Sequence, residues 1–188
     1  MIRIAVFASG SGTNAENIIT YFDKHPSVKV VNVLTNNKNA GVIERAKRLK
    51  TPIKVFSKSE LFSTGFEKFL KKEADFIILA GFLLKIPNQI VTSFPNRIIN
   101  IHPALLPKYG GKGMYGSHVH QAVVDHKEKK SGITIHYVNE NYDEGAIIFQ
   151  ESVSVLSTDT AEDVAAKIHI LEQKNFPKII EETILNKN

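Results

Sequence analysis

The chain has 188 residues and a formal net charge of +5, with 43% hydrophobic and 23% charged residues. This length and balance are typical of one globular domain with a buried core. The sequence contains no cysteine, which excludes disulfides, thiolate zinc sites and cysteine nucleophiles. The basic residues are scattered, which favours a solvated surface over a nucleic-acid stripe. A modest positive field would also attract a small anionic substrate, so charge alone does not decide the partner.

Apolar segments long enough to cross a membrane are missing from the sequence. The longest apolar run, residues 76–84, is too short for a transmembrane helix, and the N-terminus does not resemble a signal peptide. We therefore expect a soluble, cytoplasmic protein with no membrane or nucleic-acid partner. Its oligomeric state is expected to be a monomer or a homodimer.

Short β-branched runs alternate with amphipathic stretches in the first half of the chain. This strand–helix alternation predicts a mostly parallel sheet with helices on both faces. The predicted strands are Arg3–Ala8, Val28–Leu34, Ile53–Phe56, Phe76–Ala80 and Arg97–Ile101, and the predicted helices lie near Asn14–Lys24, Val42–Lys50, Phe66–Lys72 and Asn88–Ser93.

The second half has a different pattern, which predicts an antiparallel extension of the sheet. We expect a loop over His102–Gly116, a helix at Ser117–Asp125, paired strands at Gly132–Val138 and Ala146–Val155, and a helix from Thr160 to about Asn186. Asp159 or Thr160 would cap the last helix, and Pro177 would interrupt it. The prediction is a single α/β domain over residues 1–188, with halves at 1–100 and 101–188.

A glycine-rich loop, Ser9-Gly-Ser-Gly-Thr-Asn14, joins the first predicted strand to the first helix. Backbone N–H groups at such a helix start can bind a phosphate. Ala15 occupies the last glycine position of a dinucleotide fingerprint, and the Gly-Lys-Ser/Thr of a Walker A loop is absent. The alternative interpretation is a tight turn with Asn14 as the helix cap.

Asn100 and His102 stand two residues apart at the end of the fifth predicted strand, so their side chains project the same way. An amide can stabilise a developing oxyanion while an imidazole transfers a proton. Asp143, in Tyr-Asp-Glu-Gly, could favour the imidazolium form of His102. The alternatives are a strand end whose polar groups satisfy the backbone, and an acidic hairpin turn around Asp143.

His118 and His120 form His-x-His and, together with His102 and His136, suggest a metal site. Residues at i and i+2 face one way on a strand but not on the helix predicted here, so we expect no metal. The Gly-x-Ser-x-Gly elbow of serine hydrolases is also absent.

Five motifs in this order resemble the folate-dependent glycinamide ribonucleotide formyltransferases of purine synthesis, over residues 1 to about 180. They are Gly10-Ser-Gly-Thr-Asn14, Leu79-Ala-Gly-Phe82, Asn100-Ile-His-Pro-Ala-Leu-Leu-Pro-Lys-Tyr109, Ser131-Gly-Ile-Thr-Ile-His136 and Asp143-Glu-Gly145. The resemblance implies a Rossmann-like formyltransferase fold with a phosphate-binding first half and a catalytic, folate-binding second half. It also implies 10-formyltetrahydrofolate as cosubstrate, glycinamide ribonucleotide as acceptor and no metal.

The resemblance makes Asn100, His102 and Asp143 the catalytic residues. The acceptor amine would attack the formyl carbon directly, without a covalent enzyme adduct. Asn100 and protonated His102 would hold the oxyanion, and His102 with a water held by Asp143 would help move the proton to the folate nitrogen.

The same resemblance implies the binding residues. Gly12, Thr13, Asn14, Glu172 and His169 would contact the ribonucleotide. Thr134 and His136 would support the catalytic residues. The folate would contact Leu83, Leu84, Lys85, Ile86, Asn100, Asn139, Glu140, Asn141, Tyr142 and Asp143, although residues 83–86 also fit a hydrophobic core.

Some positions depart from the family pattern. His169 stands where a glutamine is usual, an arginine expected near Ser63 is missing, and the loop at 112–118 is longer than usual. The rival hypotheses are a deformylase, a methionyl-tRNA or sugar-amine formyltransferase, and a non-enzymatic binding protein on the same scaffold.

Overall fold

Strands and helices alternate through most of the chain, which a computed structural model describes over residues 1–186. The predicted 1–188 domain includes two residues, 187 and 188, that lie outside the described part. The strands are β1 (Ile2–Phe7), β2 (Val28–Thr35), β3 (Ile53–Val55), β4 (Phe76–Leu79), β5 (Ile98–His102), β6 (Lys130–Tyr137) and β7 (Ile147–Ser154). The helices are α1 (Thr13–Phe22), α2 (Val42–Arg48), α3 (Lys58–Leu61), α4 (Thr64–Glu73), α5 (Asn88–Ser93), α6 (Ser117–Asp125) and α7 (Ala161–Leu185).

The strands form a seven-stranded sheet in the order β3-β2-β1-β4-β5-β6-β7. β1 pairs in parallel with β2 and β4, and β2 pairs in parallel with β3, whereas β6 and β7 are antiparallel. The predicted α/β fold, mostly parallel with an antiparallel C-terminal extension, is confirmed. The chain divides into two compact units, Met1–Ile99 and the residues from Asn100 on, so the boundary falls inside β5.

β1 and β4 lie at the centre of the core of the first unit, where residues 4–7 and 76–79 are all buried. Parallel strands covered on both faces need such continuous apolar sequence. Phe7 lies edge-on to the rings of Phe56, Phe66 and Phe82, with ring centroids 5.2–6.4 Å apart. This packing fixes the end of β1, from which the glycine-rich loop leaves.

Two features of the helices differ from the sequence prediction. α3 was not predicted, and a capping box between Ser57 and Glu60 starts it. α7 continues through Pro177, so the predicted interruption is wrong. Pro177 is buried with Phe176 and Ile180, and apolar packing there offsets the roughly 3 kcal/mol cost of an interior proline.

Of the two predicted caps of α7, Thr160 is the correct one. Its side chain accepts a hydrogen bond from the Asp163 backbone N–H, and the Asp163 carboxylate accepts one from the Thr160 backbone N–H. Asp159 instead accepts from the Leu156 backbone N–H. Among residues 1–186, no helix is both long and apolar enough to span a bilayer.

Candidate active site

The glycine-rich loop of the first unit is built around Gly12. Gly12 is the N-cap of α1 and has a left-handed φ of 78°, and no side chain caps the helix there. A Cβ at Gly12 would lie 2.5 Å from Cβ of Val42, so only glycine fits. Thr13 and Asn14 occupy the first turn of α1, and the alternative prediction that Asn14 is the cap is wrong. The helix start therefore presents backbone N–H groups next to hydroxyl and amide side chains, as an anion site requires.

Ser9 connects this loop to the segment predicted to bind folate, and the sequence did not single out its role. The Ser9 hydroxyl donates to Asn36 Oδ1 at 2.7 Å and accepts from the Leu83 backbone N–H at 3.0 Å. Leu83 is 49% exposed, whereas Ile86 is buried. The segment is thus part surface and part core, with Lys85 exposed and Leu84 partly buried.

In the second unit, His102 ends β5 and its ring is almost completely buried. Its Nε2 lies 2.7 Å from the Tyr109 carbonyl oxygen. A carbonyl can only accept, so Nε2 carries the hydrogen and Nδ1 is the nitrogen that gains or loses a proton. Nδ1 faces Oδ2 of Asp143 at 3.6 Å, beyond direct hydrogen-bond distance.

Asn100 is held by His136, which the resemblance had placed in a supporting role. His136 Nδ1 donates to the Tyr137 carbonyl at 2.8 Å, so its Nε2 accepts from the Asn100 amide nitrogen at 3.0 Å. Burial lowers the pKa of His136, although the Tyr137 carbonyl and Asp143 act in the opposite direction. A neutral His136 therefore accepts one amide hydrogen of Asn100, and the second can be donated to an oxyanion.

Asp143 lies between the two histidines. Its Oδ1 is 3.7 Å from His136 Nε2, and its Oδ2 accepts from the Gly111 backbone N–H at 2.9 Å. Asp143 has a left-handed φ of 56°. Strained backbone of this kind is concentrated at functional sites. The structure thus brings together Asn100, His102, His136 and Asp143, which the sequence placed as far apart as 43 residues.

Thr134 supports the segment that follows His102. Its hydroxyl donates to the Ala104 carbonyl at 2.7 Å and accepts from the Leu106 N–H at 3.0 Å. Gln150 donates both to the Leu106 carbonyl and to the Thr134 hydroxyl, at 3.0 and 2.8 Å. The sequence did not indicate Gln150, because its role depends on the register that places it opposite Thr134 across β6 and β7.

Glu172 and His169 form a pair on α7, with Oε2 and Nδ1 3.5 Å apart. Glu172 raises the pKa of His169, which is about half exposed. Burial is the largest effect on His120 of α6 and lowers its pKa. Glu172 raises that pKa and His102 lowers it, both by smaller amounts. His120 Nδ1 is buried without a hydrogen-bond partner.

The predicted folate loop of the second unit forms an exposed turn between β6 and β7. The Asn139 side chain accepts from the Asn141 backbone N–H, and the Asn141 amide donates to Glu144, both at 2.9 Å. Glu140 is exposed, and Tyr142 is 40% exposed. The turn therefore presents polar groups and one aromatic ring to solvent beside Asp143.

The His-x-His motif does not converge on one point. His118 is exposed and its Nδ1 donates to the Gly113 carbonyl at 3.3 Å, whereas His120 is buried. Over residues 1–186, no group of three or more His, Asp or Glu side chains is arranged to hold a metal ion.

Comparison with known proteins identifies the class. The sequence model described as "Formyl transferase" matches residues 2–180. The chain therefore belongs to the formyl transferase family.

Several relatives carry a more particular name, phosphoribosylglycinamide formyltransferase. The chloroplastic protein of Arabidopsis thaliana is 41% identical over 95% of this chain, and that of Bacillus subtilis is 34% identical over 98%. The chain spans 64% of the Arabidopsis protein, 60% of a similar chloroplastic protein from Vigna unguiculata and 95% of the Bacillus subtilis protein. A crystal structure of the Bacillus halodurans protein of that name matches 99% of this chain and 97% of its own, with a TM-score of 0.88 and 34% identity.

Proposed function

We propose that this protein transfers the formyl group of 10-formyltetrahydrofolate to the amine of N1-(5-phosphoribosyl)glycinamide. The products would be the N2-formyl ribonucleotide and tetrahydrofolate, in de novo purine biosynthesis. The observation that carries the proposal is the cluster at the end of β5, where Asp143 lies 3.6 Å from His102 and His136 orients Asn100. The names of the relatives support the same reaction.

The folate cosubstrate supplies an activated formyl group when bound. As the acceptor amine forms its bond to the formyl carbon, negative charge develops on the formyl oxygen. The second amide hydrogen of Asn100 and a proton on His102 Nδ1 are donors for that oxygen. Donors held in place before the reaction need no reorganisation, and losing one typically costs about 3 kcal/mol of barrier.

The carbon–nitrogen bond to folate then breaks, and the amine proton must reach the departing nitrogen. His102 Nδ1 can exchange protons because the ring's other nitrogen is committed to the Tyr109 carbonyl. A water bound to Asp143 would complete the transfer, since the 3.6 Å gap to His102 is longer than a direct hydrogen bond.

The family resemblance also supplies candidate binding residues for the two small molecules. Gly12, Thr13 and Asn14 would bind the phosphate at the start of α1, while Glu172 and His169 would contact the ribonucleotide from α7. The folate would contact residues 83–86 and 139–143, where Leu83 and Tyr142 expose apolar surface for a pterin ring.

A cytoplasmic location and a monomeric or homodimeric state stay predictions from the sequence.

The test is to mix purified protein with 10-formyltetrahydrofolate, with and without glycinamide ribonucleotide, and to measure tetrahydrofolate and formylated product. Release of tetrahydrofolate only with the ribonucleotide, in equal amount to formylated product, is the expected result. Release with water alone would indicate a deformylase. No release in either mixture would contradict the proposal and would favour a different amine acceptor or a binding protein.

A further inference from the structure

The segment Lys108–Gly111 contacts both of the central catalytic side chains through its backbone. The Tyr109 carbonyl accepts from His102 Nε2 at 2.7 Å, and the Gly111 N–H donates to Asp143 Oδ2 at 2.9 Å. These two backbone groups are only two residues apart. The position of this short segment therefore sets both the tilt of the His102 ring and the place of the Asp143 carboxylate.

Tyr109 adopts a backbone conformation that its residue type disfavours. Its φ is 57°, in the left-handed region that glycine occupies without cost. In this conformation the Tyr109 carbonyl accepts the hydrogen bond from His102 Nε2. A bulky residue stays there only when surrounding contacts hold it.

Glu128 supplies such a contact. Its Oε1 accepts from the Tyr109 hydroxyl and from Lys108 Nζ, each at 2.9 Å. Glu128 itself lies in the turn between α6 and β6, where its backbone N–H donates to the Val123 carbonyl. One carboxylate oxygen thus links two consecutive residues of the loop to the turn between α6 and β6.

The hydrogen bond between Tyr109 and Glu128 needs a protonated hydroxyl and an ionised carboxyl, and both groups are in these states. Burial, followed by Glu128, raises the pKa of Tyr109 to about 12, so the hydroxyl keeps its hydrogen. Lys108 and then Tyr109 lower the pKa of Glu128, which therefore stays a carboxylate. The hydrogen bond persists across the neutral pH range.

We propose that Tyr109 and Glu128 are positioning residues for His102, acting through the left-handed backbone at Tyr109 and its carbonyl bond to His102 Nε2. The proposal rests on the proposed formyl transfer for its kinetic consequences only. Neither side chain touches His102, so each is expected to change the rate of the chemical step and not the affinity for substrate. Misplacing a catalytic group by about 1 Å can lower the rate by about 10²-fold.

The kinetic experiment is a double-mutant cycle of Tyr109→Phe and Glu128→Leu. Each single variant is expected to lower kcat on the order of tenfold with KM nearly unchanged, and the double variant should lose no more than one of them. Glu128→Gln retains an acceptor oxygen for the hydroxyl and should recover most of the activity. Lys108→Met tests the share of the lysine, which is expected to be smaller because the lysine side chain is exposed.

A matched control is Glu151→Gln, which removes the Lys174–Glu151 ion pair of the same 2.9 Å length elsewhere in the second unit. It should leave kcat unchanged. Multiplied losses in the Tyr109→Phe, Glu128→Leu double variant, or unchanged kcat in both single variants, would overturn the proposal.

A second readout does not depend on turnover. In protein labelled with ¹⁵N-histidine, the His102 signals are assigned by their loss in His102→Asn. Tyr109→Phe should shift the Nε2–H signal and speed its exchange with water, because the bond to the Tyr109 carbonyl weakens. An unshifted His102 signal would overturn the positioning role. If the wild-type protein lacked formyl transfer while this shift occurred, only the proposed function would fail.

Discussion

The carbonyl of Tyr109 determines which nitrogen of His102 does the chemistry. It lies 2.7 Å from Nε2, and this bond leaves Nδ1 facing Asp143. A backbone acceptor, like a carboxylate, fixes the tautomer of a catalytic imidazole, and it adds no charge. The proton that moves in the proposed reaction is therefore assigned to a particular atom.

Replacing His102 by asparagine should abolish most activity without unfolding the protein. The change removes the proton carrier, and general acid–base groups contribute roughly 10²–10⁴-fold to rate. The measurement is kcat from initial rates, with circular dichroism to verify the fold. His25→Asn, at a partly exposed turn histidine of the first unit, is the control and should keep full activity. Equal activity in both variants would remove His102 from the mechanism.

Asn100→Asp should lower kcat by about 10²–10³ while leaving KM nearly unchanged. The new side chain has the same shape but lacks the N–H donors that would stabilise the oxyanion. It also presents an oxygen to His136 Nε2, 3.0 Å away in the wild type. Steady-state kinetics separates the two parameters. A rise in KM at constant kcat would instead make Asn100 a ground-state contact.

Gly12→Ala should destabilise the protein by roughly 1–3 kcal/mol and raise KM for the ribonucleotide. The new methyl group would overlap Val42, and φ at this position is 78°. Urea unfolding gives the stability. Gly10→Ala is the matched change for folding, because a Cβ there meets nothing within 4 Å. Its effect on stability should stay within about 0.5 kcal/mol. Similar stability losses in both variants would show that the overlap with Val42 is not the cause.

Thr134→Val should lower the free energy of unfolding by roughly 2–4 kcal/mol. Valine has nearly the same shape, but the Ala104 carbonyl and the Leu106 N–H would lose their buried partner. Thr183→Val is the matched control, since its hydroxyl makes one bond to the Ile179 carbonyl within α7. We expect less than about 1 kcal/mol there. Indistinguishable losses would mean that the Thr134 network does not hold the loop.

Stability should fall as the pH drops below about 6.5. Burial lowers the pKa of His120 and of His136 from an ordinary value of 6.5. Below pH 6.5 each of these histidines therefore binds a proton in the unfolded chain but stays neutral in the folded chain. Each one lowers the free energy of unfolding by at most about 1.4 kcal/mol per pH unit. His169 acts oppositely: Glu172 raises its pKa, so its contribution is present below 6.5 and is lost as pH rises through the folded pKa.

Unfolding free energies measured between pH 5 and 8 test this dependence. His120→Leu should flatten the acidic part of the curve, because one of the two neutral buried imidazoles is gone. Val119→Ala, at the neighbouring buried position of α6, should lower the whole curve without changing its slope. An unchanged acidic slope in His120→Leu would show that His120 takes up its proton in the folded state.

Periodic sequence patterns predicted most of the fold because they reflect local physics. β-branched runs separated by amphipathic stretches predicted every strand and all helices except α3, with boundaries within about two residues. The prediction failed at α3, which is only four residues long, and at Pro177, where tertiary packing outweighs the helix-breaking tendency of proline. The Ser57–Glu60 capping box was a local signal for α3. The packing energy at Pro177, in contrast, is not contained in a local pattern.

The chemistry of the site was also present in the sequence. Asn100 and His102 at a strand end, a glycine-rich loop and a distant Asp143 predicted the residue types that acyl transfer needs. Side-chain identity determines which reactions are available, and spacing on a strand determines which residues share a face.

How those residues work depends on contacts that form in the folded protein. It placed Asp143 beside His102 and His136, and it revealed the Tyr109 carbonyl, Gln150 and the buried His120, none of which has a local signature. Hydrogen-bond partners, burial and the resulting pKa shifts depend on contacts between segments distant in the chain. These contacts follow from the packing of the whole fold, so a sequence read segment by segment does not specify them.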